Sequence, residues 1–210
     1  MRLIKNKPID IGEVLDDAQP RGIIHAGAHL AEELPLYVER NINNRCWIEA
    51  NPVIFLKMKE IVPHSDAMLN VAVTDEDAIL EFNLMDNGQS SSLLKPKTHL
   101  ERYPDIKPLG VIRVVGRKFD TLIETNFLDI SKYDFLYMDL QGAEYKALKG
   151  FEKHIGSINY IMAEVNYEEV YSGCTLIDEF DAYLGGLGFE KQWATIHESV
   201  GWGDAYYKRI

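Results

Sequence analysis

Residues 22–26, Gly-Ile-Ile-His-Ala, form a short run without a formal charge, and Gly27-Ala28-His29 follows at once. Glu32 and Glu33 then open a segment whose apolar residues recur at Leu34, Tyr37, Val38 and Ile42. The first pattern is a buried strand over 22–27 and the second an amphipathic helix over 31–42, with Pro35 tolerated in its first turn. A strand that turns through glycine into a helix places small-molecule ligands at its C-terminal end in open α/β sheets. That unit constrains everything after it.

The unit repeats. Arg45 to Ala50 reads as a second strand, Asn51-Pro52 starts a helix carrying Ile54, Phe55, Met58 and Ile61, and Ala67 to Val73 reads as a third strand. Such βαβαβ order calls for an α/β fold with a mostly parallel sheet and right-handed crossovers. The rhythm breaks at 74–116. Strand-like Ile79–Leu84 and Val111–Val115 flank a polar loop, 86–92, and a stretch rich in proline and charge. This predicts an insertion over one end of the sheet, a lid or substrate wall. Beyond it lie a helix opening at Asp120, a strand over 134–140, a helix ending near Gly150, a strand over 158–165 and a helix over 175–187. Phe189–His197 and Ala205–Ile210 read as an antiparallel pair around the Gly201-Trp202-Gly203 turn. Residues 1–20 predict an N-terminal helical extension over Ile11–Ala18, and all 210 residues predict one domain.

The net charge of −11 argues against a nucleic-acid partner, since phosphate binding draws on clustered cations. Lys95, Lys97, Arg102 and Lys107 are the one basic grouping. The sequence predicts no membrane span and no signal peptide, and its two cysteines, Cys46 and Cys174, suggest a reducing, cytoplasmic setting. Trp47 and Trp193 read as core rather than a sugar-stacking platform, and Trp202, in a Gly-flanked turn, as either.

Three polar features fall at predicted strand ends: Gly27, Glu49 and Asp139. Glu49 lies 22 positions after Gly27, the offset at which a carboxylate meets a ribose in dinucleotide folds. Yet Gly27 stands alone where a phosphate-binding turn would need three glycines, with His29 and Ala31 in the other places. Glu32 and Glu33 would repel a pyrophosphate. An adenosine with a zwitterionic, phosphate-free tail, such as S-adenosyl-L-methionine, fits better. A nicotinamide-dependent oxidoreductase is the rival reading, and a non-catalytic binding module on the same fold a third.

The chain resembles the FkbM family of S-adenosylmethionine-dependent methyltransferases. The resemblance rests on 24–29, Glu49-Ala50-Asn51-Pro52, Asn70–Val73, Ser91–Leu94, Arg117–Leu122, Leu136–Glu144 with Leu148-Lys149-Gly150, and Glu164-Val165 with Tyr171–Cys174, in that order across roughly 22–190. It implies a class I, Rossmann-like fold with a seven-stranded sheet and O-methylation of a hydroxyl, foremost on a sugar or oligosaccharide. It implies cofactor contacts from Gly27, Ala28 and His29 at the methionine end, from Glu49 on the ribose, from Asn70 to Ala72 near the adenine, and from Ala50, Asn51, Leu140 and Gln141. Two departures stand out: His25 replaces the family's aspartate before the turn, and Ala31 its second glycine.

An alcohol needs a base, and Asp139 is the first choice, with His25 and Glu144 behind it. Ser91, Ser92, Arg102 and Asn166 are candidate substrate contacts. The oxygens of Asp139, Glu164 and Asn166 would suit a hard cation, Mg²⁺ or Mn²⁺.

Overall fold

The computed structural model describes residues 2–5, 10–196 and 199–210. Strand β1 (Arg2–Lys5) is followed by helix α1 (Ile11–Ala18), whose N-cap Asp10 accepts hydrogen bonds from the N–H groups of Gly12 and Glu13. Then come β2 (Gly22–Ala26), α2 (Leu34–Glu39), β3 (Asn44–Ile48) and α3 (Pro52–Ile61). Asn51 caps α3 through Val53 N and Ile54 N, and Pro52 takes the first turn, where its missing N–H is no loss. The chain continues through β4 (Ala67–Leu69), β5 (Ala72–Val73), β6 (Ile79–Met85), α4 (His99–Arg102), β7 (Pro108–Arg117) and α5 (Phe119–Glu124). It closes with β8 (Phe135–Met138), α6 (Glu144–Lys149), β9 (Tyr160–Asn166), α7 (Ile177–Gly186), β10 (Phe189–Ile196) and β11 (Trp202–Arg209).

The main sheet runs β1-β10-β11-β9-β8-β2-β3-β4. Only β11 is antiparallel to its neighbours; every other pairing is parallel. Strands β2 and β8 are buried along their whole length, as central strands covered on both faces must be. Alternate residues feed opposite cores. Ile24, Ala26, Leu136 and Met138 pack with Phe119, Phe151 and Leu184 on one face. Ile23, Trp47, Phe135 and Tyr137 pack with Leu15, Tyr37 and Tyr206 on the other. Trp47 is fully buried and Trp193 packs against the same core.

Four local expectations are corrected. The N-terminal segment is more than helical: β1 pairs in parallel with β10, from Arg2↔Trp193 to Lys5↔Ile196, and adds an eighth strand at the edge of the seven expected. Four residues are too few to show a period in sequence. Helix α2 is half its expected length because Ala31 before it and Asn41 after it adopt φ +57° and +56°, a left-handed conformation no α-helix accommodates. The expected strand 67–73 is broken, since the Asn70 amide turns back to donate to the carbonyls of Glu49 and Ala50. Its last residues, in β5, join β7 and β6 in a separate three-stranded sheet. Finally, Trp202 and Gly203 lie in β11, opposite Asn166 and Val165, so the last turn precedes them. His197, placed in β10 by the sequence, lies outside the described residues. Among the described residues no helix is long and apolar enough to cross a membrane.

This order positions the site. From β2 the chain builds outward through β3 and β4, while β8 starts the other half on the opposite side of β2. The strand order reverses between β2 and β8, the place where open α/β sheets bind ligands.

Candidate active site

Gly27, Glu49 and Asp139 each follow directly on the last residue of β2, β3 or β8. Those strands are adjacent and parallel, so the three residues share one sheet edge. Gly27 has φ +80°, and a Cβ there would sit 1.8 Å from the Asp139 carbonyl oxygen. The N–H groups of Gly27 and Ala28 both donate to the Ile48 carbonyl, at 2.9 and 3.0 Å. His29 N donates to Glu49 Oε2 at 2.9 Å and Asn51 N to Oε1 at 2.7 Å. The Glu49 carboxylate therefore ties the turn to the start of α3, and each oxygen keeps capacity for a further donor.

These residues open onto a cavity of about 480 Å³, of the size that holds cofactors. Phe82, Gly88, Leu93, His99, Tyr103 and Ile106, all from the 74–116 excursion, form one wall. Acidic groups dominate the polar lining: Glu32, Glu33, Glu49, Asp139, Glu164 and Asp204 line the cavity, with no lysine or arginine among the described residues that do. Burial pushes Glu33 up to about 7, helped by the like charges of Glu32 and Asp139. Burial likewise raises Glu49 and Asp139, and raises Glu164 well above the carboxylate range, with Asp139 and Glu144 adding repulsion.

One side-chain amide organises the acids. Gln141 Nε2 donates to Asp139 Oδ1 at 2.6 Å and to Glu164 Oε2 at 3.1 Å. Tyr171 Oη donates to Gln141 Oε1 at 2.7 Å, which fixes the way the amide faces.

Raised carboxyl groups make stability depend on pH. A buried acid with a raised pKa favours the folded state while protonated, and that advantage is lost as pH rises through its folded pKa. Glu33 at about 7 and Glu144, which burial pushes to about 8, titrate there. His25 and His99, lowered by burial, act in the opposite sense, but only below the ordinary imidazole value of 6.5. The ligand-free protein is therefore expected to melt at progressively lower temperature from pH 6.5 to 8. A flat or rising Tm across that range would contradict the buried acid cluster.

Residues 25–191 match the Methyltransferase FkbM domain. The chain belongs to the FkbM methyltransferase family. A curated relative, 2-O-methyltransferase NoeI of Sinorhizobium fredii, is 27% identical over 135 residues, covering 60% of this chain and 54% of the relative. The chain thus spans about half the length of the curated relative it matches. Among solved structures, the methyltransferase domain of bacterial CtHen1-C superposes with TM-score 0.51 at 10% identity, over 95% of this chain and 94% of that one. A Streptococcus pneumoniae protein assigned to tRNA methylation, in complex with S-adenosyl-L-methionine, gives 0.50 at 10% identity over 97% and 73%. At that identity the likeness is one of fold, and the fold is the class I methyltransferase one.

Within the FkbM chain, the candidate residues Gly27, Ala28, His29, Glu49, Ala50, Ala72, Leu140, Gln141, Asp139, Ser91 and His25 line the cavity. Others are used elsewhere. Glu144 does not line it: Oε1 accepts from Leu140 N at 2.7 Å and Gly142 N at 3.3 Å, so its carboxylate holds the 139–142 turn. His25 is a packed imidazole, stacked on Tyr137 at 4.3 Å with Tyr37 Oη 3.2 Å from Nδ1; burial lowers it to about 3, a poor base at neutral pH. Asn51 and Asn70 lie off the cavity, spent on the α3 cap and on backbone carbonyls, while Val71 and Val73 join Ala72 in the wall. Ser92 Oγ donates to Gln141 O at 2.9 Å, and Arg102 pairs with Glu168; neither lines the cavity.

The donor set does not fit a metal. The Gln141 N–H groups occupy Asp139 and Glu164, Asn166 is off the cavity wall, and no cluster of three or more His, Cys, Asp or Glu suited to a metal ion occurs among the described residues. His99 and Tyr103 line the cavity but escaped sequence reasoning as site residues; Trp202, which also lines it, was open in sequence between a core ring and a sugar-stacking one. Tyr171 carried a signal, because it lies in a stretch resembling the family.

Proposed function

We propose that this FkbM chain transfers a methyl group from S-adenosyl-L-methionine to a hydroxyl of a carbohydrate, as a single methyltransferase domain whose 74–116 segment walls the acceptor side. One observation carries the reading: the Glu49 carboxylate, pinned by His29 N and Asn51 N beside the Gly27 turn, faces a cavity lined by acids without a cation. That lining suits a ligand with sulfonium and ammonium charges and opposes a pyrophosphate. The name of the curated relative supports O-methylation.

When bound, S-adenosyl-L-methionine supplies an electrophilic methyl group. Glu49 accepts hydrogen bonds from ribose hydroxyls, and the backbone of Gly27 to His29 meets the amino-acid end. Glu33 and Asp139 compensate positive charge. Asp139 takes the proton of the acceptor hydroxyl. Burial has raised its pKa toward the working pH, which makes it a stronger base than a solvated carboxylate, and Gln141 fixes its orientation. Alignment of the acceptor oxygen is the rest of the work, done by the cavity walls.

Glu49→Ala is expected to weaken S-adenosylhomocysteine binding about 10- to 100-fold, the worth of hydrogen bonds to a charged acceptor, with little change in acceptor affinity. Calorimetry with S-adenosylhomocysteine and, in parallel, NAD tests both points. Tight binding of NAD alone would replace the reading with an oxidoreductase, and equal S-adenosylhomocysteine affinity in the variant would remove Glu49 from the ribose.

A further inference from the structure

Five buried side-chain atoms among the described residues have no hydrogen-bond partner, and four of them belong to residues 98–102: Thr98 Oγ1, Arg102 Nη1 and both ring nitrogens of His99. Buried polar groups are nearly always paired, so a cluster of unpaired ones asks for an absent partner. His99 stands out because it is only 5% exposed and yet lines the cavity. A histidine serving the core alone would satisfy at least one ring nitrogen.

The imidazole is held in place. Its faces pack against Tyr103 and Tyr171, at 4.9 and 5.1 Å between ring centroids. Its backbone N–H and that of Lys97 donate to the Val170 carbonyl, anchoring the segment beside the end of β9. Burial lowers its pKa, so near neutral pH it is uncharged, with one N–H donor and one acceptor nitrogen. Tyr171 in turn donates to the Gln141 amide that holds Asp139. The unpaired ring thus adjoins the network around the proposed base. Tyr103 and Trp202, linked by Trp202 Nε1 to Tyr103 Oη at 3.3 Å, line the same part of the cavity.

We propose that His99 reads the acceptor: one ring nitrogen accepts a hydrogen bond from a sugar hydroxyl, the other donates to the adjacent hydroxyl oxygen, and the Tyr103 and Trp202 rings pack against the C–H face of the pyranose. The chemistry recognised is a vicinal diol on an apolar-faced ring. A neutral imidazole matches the diol because each hydroxyl both donates and accepts, and aromatic rings bury the C–H face with large contact area. His99 is a binding and positioning residue here, and the inference rests on the methyl-transfer reading for calling the sugar an acceptor.

The test uses the full chain, with and without S-adenosylhomocysteine, titrated with a panel of methyl hexosides and methyl 6-deoxyhexosides. The His99 ring nitrogens are followed by NMR. At least one glycoside is expected to shift them. His99→Ala is expected to weaken that glycoside about tenfold, the scale of one lost hydrogen bond, and His99→Gln to recover part of the loss. Affinity for S-adenosylhomocysteine should stay unchanged in both variants, showing that each still folds. A panel that leaves the ring nitrogens unmoved, or equal glycoside affinity in His99→Ala, would overturn the proposal. Failure of the parent protein to bind S-adenosylhomocysteine would sink the methyl-transfer reading instead, while the glycoside arm without it still decides the role of His99.

Discussion

The Gly27→Ala protein is expected to melt roughly 10 °C below the parent and to lose measurable S-adenosylhomocysteine binding. The two losses share a cause. At φ +80° an L-residue is strained by about 1–2 kcal/mol. The added methyl would also lie 1.8 Å from the Asp139 carbonyl oxygen and 2.8 Å from its carbonyl carbon, backbone atoms that no side-chain rotation can clear. Relief requires β2 and β8 to separate where Asp139 N donates to the Ala26 carbonyl. A total near 3 kcal/mol is typical of a special backbone position, and each kcal/mol is about 2–4 °C for a domain of this size. Differential scanning fluorimetry and calorimetry on the same preparation give both numbers. A melting point within about 2 °C of the parent, with binding intact, would mean that the turn relaxes freely and that its shape is not what holds the ligand.

Asp139→Asn is expected to lower kcat about 10²- to 10⁴-fold, the usual range for a lost general base. Its fold should survive. The substitution removes one of several buried acids that repel each other, and Asn can still accept the Gln141 N–H. Without Asp139, Glu164 and Glu144 lose a source of the repulsion that raises them, so the fall in Tm from pH 6.5 to 8 should shrink. The pH dependence of rate gives a second reading. A base must be deprotonated, so kcat of the parent should rise with pH through the raised pKa of Asp139, and that limb should vanish in the variant. Transfer of labelled methyl to a sugar panel, followed across pH, measures both. A variant with kcat within about threefold of the parent would hand the proton to another group.

The sheet edge of the candidate site was largely legible because it rests on local rules. Gly27, Glu49 and Asp139 each end an apolar run, and parallel strands bring such ends to one edge whatever the loops do. What sequence could not tell was whether a polar residue near that edge faces the cavity or the backbone. Asn70, Glu144 and Ser92 have the right types and positions, but the carbonyls of Glu49 and Ala50, the Leu140 and Gly142 N–H groups and the Gln141 carbonyl claim them. These contacts depend on turns of a few residues whose dihedrals include Gln141 at φ +55° and Gly142 at φ +92°, which no periodicity encodes. The opposite wall of the cavity was hidden for a different reason. His99 and Tyr103 sit among prolines and charges that read as surface, and Trp202 lies near the far end of the chain. Only the packing of the excursion against the end of β9, through Lys97 N and His99 N to Val170 O, makes them neighbours.

The short parallel pairing of Ala72 with Gly116 and Val73 with Arg117 has a wider implication. The chain enters and leaves residues 74–115 on adjacent strands of the smaller sheet, about 5 Å apart, so that segment is a cassette with neighbouring ends. Lengthening such a cassette costs little, about 0.6 kcal/mol for each doubling, and leaves the register of the eight-stranded sheet untouched. Under the proposed reading, the share of acceptor recognition carried by His99 and Tyr103 can then be altered within one contiguous stretch of polypeptide, while Trp202, Gly27, Glu49 and Asp139 stay with the body that carries them.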